Sequence, residues 1–118
     1  IGVIFTDAGK RTTLESMVYP YVVDDIKTWK ADNADAPLVV IESAVALDKK
    51  AFDDLYDTVL LVTADREIRQ KRNPKVAQRD ALQSFDGSRA DFVVENNSDK
   101  ECLYDKLETL LIKLKQDL

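Results

Sequence analysis

The chain contains no histidine and a single cysteine, Cys102, among its 118 residues. The first absence excludes imidazole acid–base catalysis, a serine–histidine triad and most zinc sites. The second excludes an internal disulfide. Cys102 stands in a leucine-rich helical stretch and reads as a packed thiol rather than a nucleophile. Glycine is scarce, three residues in all, and no G-x-x-x-x-G-K-[ST] pattern occurs, so these residues hold no phosphate-cradling loop of that kind. No apolar run approaches the roughly 20 residues that span a bilayer, and no signal peptide is visible. The net charge of -5 gives no basic excess for a nucleic-acid or membrane-surface partner. A cytoplasmic location is the expectation. A chain opening Ile1-Gly2-Val3 without methionine reads as a truncated or processed product, or as part of a longer one.

What is present fits one α/β domain with a modest core over residues 1–118. The apolar runs Leu38–Ile41, Thr58–Val62 and Phe92–Val94 are continuous and rich in β-branched residues, which predicts strands covered on both faces. Helical stretches between them predict parallel pairing with crossover helices in one sheet. Thr12 and Glu15 have capping-box spacing and open a helix carrying Leu14, Met17 and Val18. Pro20 suits the first turn of a second helix that sets Val22, Val23, Ile26 and Trp29 near one face. Asp65 caps a helix that Asn73-Pro74 ends. A further helix runs from Lys75 to Gln83, and Phe85 to Arg89 turns at Asp86-Gly87. Ser98 and Glu101 form a second capping box before the last helix, whose Leu103, Leu107, Leu110, Leu111, Leu114 and Leu118 mark a core-facing stripe.

Parallel sheets bind ligands beyond the carboxyl ends of their strands. The segments after Ile41, Val62 and Val94 are therefore the places for chemistry. Arg66, Arg69, Lys71, Arg72, Lys75 and Arg79 follow the second strand. Such a cluster can clamp phosphate oxygens, or it can be a solvated helix face paired with Asp65, Glu67 and Asp80. Glu42 can hold a magnesium-bound water or act as a base, or it can be a plain loop carboxylate; Asp48 suits a helix cap. Asn96 and Asn97 can meet a base or ribose, or form a turn.

Several short segments carry a family resemblance when read in order. They are Phe5-Thr6-Asp7 with Arg11 and Leu14-Glu15, then Tyr19-Pro20, then Glu42-Ser43-Ala44-Val45-Ala46-Leu47-Asp48. Val62-Thr63-Ala64 with Arg69 and Arg72 follows, then Arg79 with Gln83, then Ala90-Asp91-Phe92-Val93-Val94-Glu95-Asn96. Together these resemble the C-terminal two-thirds of dephospho-coenzyme A kinases. Tyr19 stands where the family has histidine, Ala44 where it has proline, and Asp48 where it has glutamate. The resemblance implies a three-layer P-loop NTPase-like parallel sheet, here without its phosphate-loop strand. It implies ATP and Mg2+ as cofactors and dephospho-coenzyme A as the small-molecule substrate, phosphorylated on its ribose 3′-hydroxyl. Arg72 and Arg79 would belong to a lid over residues 65–89 that approaches the ATP phosphates, with Asn96 near the adenine. Glu42, Asp48 and Tyr19 would line the acceptor site, beside coenzyme-binding helices over residues 12–31. No catalytic residue and no metal ligand is assigned within the chain. Without phosphate-cradling amides and a lysine, the chain alone is expected to be inactive. Another nucleotide-type P-loop kinase, or a non-catalytic α/β binding module, is the alternative.

Overall fold

A computed structural model describes residues 6–80 and 87–117, with backbone only at 78 and 79. The chain divides into two compact units, Ile1–Asp57 and Thr58–Leu118. The expectations for Ile1–Phe5, for the helix beyond Asp80, for Phe85-Asp86 and for Leu118 lie outside the described residues.

The first unit is built on helix α1, Ala8–Asp32. Its cap is Asp7, not Thr12. Asp7 has extended backbone, as a cap requires, and its Oδ1 accepts the Lys10 amide at 3.0 Å. Thr12 lies inside the helix, and its hydroxyl donates to the Ala8 carbonyl at 2.9 Å. Pro20 does not start a new helix either; α1 runs straight through it. The residue is exposed, so its ring sits on the solvent side, while Tyr19, Val22 and Ile26 on another face are half-buried. Packing on that face outweighs the lost N–H of Pro20. Trp29, expected on the packed face, is exposed. Opposite α1 lie two short 3₁₀ helices, Ala46–Asp48 and Lys50–Leu55. Phe52 and Leu55 are the buried residues among the described residues of this unit. The Tyr19 ring meets Phe52 edge-on with centroids 5.1 Å apart, and Lys30 Nζ donates to the Leu55 carbonyl at 2.7 Å.

Leu38–Ile41 is not a strand. Its backbone is irregular and Val40 is 74% exposed. β-branched residues favour the extended form, but a strand exists only where a neighbour completes the ladder. Among the described residues of this unit no other strand does so.

In the second unit, β1, Leu60–Thr63, pairs in parallel with β2, Phe92–Glu95, with Leu60 opposite Phe92 and Thr63 opposite Glu95. The expected parallel pairing of these two segments is correct. β1 starts two residues later than the apolar run because Val59 is bonded differently. Its amide donates to Asp91 Oδ2 at 2.8 Å, and its carbonyl accepts from Asp91 and Phe92. The expected cover on both faces is not found: Val62 is 49% and Val93 56% exposed, and only Val94 of the two strands is buried. Two strands are too narrow to hide both faces of a sheet. Helices α2, Arg66–Arg72, and α3, Val76–Asp80, follow β1, with Asn73-Pro74 breaking between them as expected. A 3₁₀ turn at Gly87–Arg89 leads into β2. Helix α4, Lys100–Gln116, is capped by Asp99, which accepts the Cys102 amide at 2.9 Å; Ser98 is one residue too early. Leu103, Leu107, Leu110 and Leu114 are half-buried, Leu111 is exposed, and Cys102 is a half-buried free thiol. The architecture of the described residues is thus mixed α/β with one parallel strand pair.

Candidate functional site

The carboxyl ends of β1 and β2 are bound into one polar edge. The Thr63 carbonyl accepts from the Asn96 amide at 2.6 Å, and Asn97 Oδ1 accepts the Asp65 amide at 2.7 Å. Helix α2 begins directly after β1, so residues three apart on it share a side that looks back at the strand ends. Arg69 and Arg72 are such a pair. Arg69 Nε donates to the Ala64 carbonyl at 3.0 Å, and its terminal nitrogen makes an ion pair with Asp80 at 2.6 Å. Arg72 donates through both terminal nitrogens, to the Asn96 carbonyl at 2.8 Å and the Ser98 carbonyl at 3.1 Å. A planar guanidinium suits this double contact in a way that an ammonium cannot.

Arg72 and Asn96 are therefore brought together, but through the Asn96 backbone. Arg79 lies in α3, and its side chain is outside the described residues. Arg69 matches the reading of the basic cluster as a helix face paired with Asp80.

A second polar place lies within the first unit. A hollow of about 210 Å³ is lined mainly by apolar side chains, among them Val22, Ile26 and Phe52, with Tyr19, Glu42, Ser43 and Tyr56 at its polar positions. The Ser43 hydroxyl oxygen accepts the Val45 and Ala46 amides at 3.2 and 3.1 Å, which fixes the turn that carries Glu42. Burial, and then the neighbouring Glu15 carboxylate, push the Tyr19 phenol above its ordinary value, while Lys49 opposes them. Lys49 is itself paired with Glu15 at 3.0 Å. The structure thus brings Tyr19 and Glu42 to one hollow. Glu42 does not stand at a strand end, because the strand before it is absent. Asp48 does not line the hollow; it is exposed in the Ala46–Asp48 turn.

Asn97, read with Asn96 as a base or ribose contact or a turn residue, ties the two strand ends through its side chain. The Glu15–Lys49 pair joins residues far apart in the chain and leaves no local signal. Among the described residues no three acidic, histidine or cysteine side chains converge as a metal site, and no helix is long and apolar enough to cross a membrane.

The chain is 28% identical, over 121 residues, to an uncharacterized protein of the fission yeast Schizosaccharomyces pombe; the match covers 92% of this chain and 51% of the yeast protein. It is 27% identical, over 117 residues, to a dephospho-CoA kinase of Fusobacterium nucleatum, covering 90% of this chain and 60% of that enzyme. The chain spans between half and three-fifths of the length of these curated relatives. No family model matches it, and no solved structure matches it at comparable significance.

Proposed function

We propose that the chain is the C-terminal part of an ATP-dependent kinase that phosphorylates the ribose 3′-hydroxyl of dephospho-coenzyme A. The observation that carries this is the likeness to the Fusobacterium nucleatum dephospho-CoA kinase along 90% of the chain. The parallel strand pair, with polar residues gathered at its carboxyl ends, supports a nucleotide site at that edge.

Within this reading the nucleotide lies against the loops after β1 and β2. Arg72 keeps the 96–98 loop in place through its two carbonyl contacts, so its role is positioning. Asn96 faces the base or ribose, and Arg79 meets the phosphates. The edge suits a base or ribose through the Asn96 carboxamide, while the Arg69 and Arg72 guanidinium groups are engaged by Ala64, Asp80, Asn96 and Ser98. It does not by itself fit magnesium, because the described residues offer no cluster of acidic ligands. Mg2+ would arrive on the ATP phosphates. ATP, when bound, supplies the transferred phosphoryl group. The hollow beside Tyr19 and Glu42 takes part of the acceptor, with Asp48 outside it.

Steady-state kinetics on the protein that contains this chain separates these roles. Arg79→Ala lowers kcat by about tenfold or more, as expected for a lost contact to the transferring group. Tyr19→Ala and Glu42→Ala raise the KM for dephospho-coenzyme A and leave the KM for ATP in place. Unchanged kinetics in all three variants would remove the chain from the active site.

A further inference from the structure

The exposed side of α1 carries a stripe that the packed face does not use. Lys10, Leu14, Met17, Tyr21 and Asp25 recur at helical steps of three and four, with Val18 beside them. The packed face is a different one, holding Glu15, Tyr19, Val22, Ile26 and Lys30, all half-buried. On the outer stripe Met17 is 63% and Tyr21 78% exposed, and Leu14 and Val18 are also exposed. Four large apolar side chains in adjacent turns form a patch of the kind that marks an interaction surface.

The order of charges along the stripe selects the partner. A base stands at its amino end, an acid at its carboxyl end, and the apolar residues lie between. We propose that this face docks on the same face of a second copy of the chain, as an antiparallel helix pair about a two-fold axis between Met17 and Val18. That axis sets Met17 against Val18, Leu14 against Tyr21 and Lys10 against Asp25 in one register. An isologous contact needs such self-complementarity, because each residue must suit the partner of its own partner. A parallel pair would set Lys10 against Lys10 and Asp25 against Asp25, and like charges oppose it.

Lys10 to Asp25 spans about 24 Å of helix at ~1.5 Å per residue. One helix face of that length buries less than the ~800 Å² per partner of a stable complex. The dimer is therefore weak, with a dissociation constant on the order of 100 µM.

Sedimentation velocity from about 10 µM to about 1 mM measures it, with far-UV circular dichroism confirming that each variant keeps its helices. The chain shifts from monomer to dimer across this range. Met17→Glu sets an acid on each side of the axis and raises the dissociation constant at least about tenfold. Lys10→Glu and Asp25→Lys each weaken the dimer, and the double variant restores it, because the antiparallel register rebuilds both ion pairs with their signs exchanged. A chain that stays monomeric throughout, or a dimer indifferent to Met17→Glu, overturns the proposal. A double variant no tighter than the single ones also overturns it, since the register is then different.

Discussion

Arg72 holds the carbonyls of Asn96 and Ser98, which lie more than twenty residues further along the chain, and this makes it a structural residue. The family resemblance placed it in a lid that approaches the ATP phosphates. The contact is solvent-exposed, so its worth is modest, about 1 kcal/mol for two charge-assisted bonds discounted for screening. Arg72→Ala should lower the melting temperature by a few degrees, and Arg72→Lys should recover only part of it, because an ammonium cannot span both carbonyls. Equal melting curves for all three proteins would show that the clamp is idle. Tyr19 gives a second expectation at this scale. Its phenol is raised by burial and by Glu15, so the folded chain holds that proton more tightly than the unfolded chain does. The stabilisation is complete below the ordinary tyrosine value near 10 and is lost as pH rises through the raised one. Denaturation midpoints measured between neutral and strongly alkaline pH should fall above about pH 10, and Tyr19→Phe should flatten that fall. A wild-type curve parallel to that of the variant would contradict the assignment.

The elements show which local signals were legible and which were not. The break at Asn73-Pro74 and the buried Phe52 and Leu55 follow from residue type. The helix starts do not. Both expected capping boxes, at Thr12 and Ser98, gave way to an aspartate nearby, at Asp7 and Asp99. Asp, Ser and Thr are all good caps, and which one serves depends on which residue takes extended backbone. Asp99→Ala should therefore cost about 1 kcal/mol in a urea titration, while Ser98→Ala should leave the midpoint in place. The reverse order would return the cap to Ser98. Pro20 was read as a boundary because its ring conflicts with a helix interior. The helix persists because tertiary packing on the Tyr19, Val22 and Ile26 face is worth more than one lost backbone bond. Pro20→Ala restores that bond at an exposed site and should stabilise the chain, by up to about 3 kcal/mol. A neutral or destabilising result would show that the proline is accommodated without cost.

At the scale of the whole molecule, the parallel pairing of β1 and β2 was legible because both runs are apolar, β-branched and joined through helices. Leu38–Ile41 has the same composition and forms no strand. Composition reports a readiness to pair, while the ladder depends on a neighbour that no local pattern names. The candidate site divides the same way. Tyr19 and Glu42 share a hollow, and Arg72 meets Asn96 through its carbonyl. Asp48 stands apart from the hollow, exposed at the end of the Ala46–Asp48 turn. On the proposed function, the protein carrying this chain transfers phosphate to dephospho-coenzyme A. The direct test incubates that protein with ATP, Mg2+ and dephospho-coenzyme A, then separates and identifies the products by chromatography and mass spectrometry. The expected product is coenzyme A bearing its new phosphate on the ribose 3′-oxygen, formed only when all three reagents are present. Dephospho-coenzyme A recovered unchanged would contradict it, as would ATP consumed at the same rate without the acceptor.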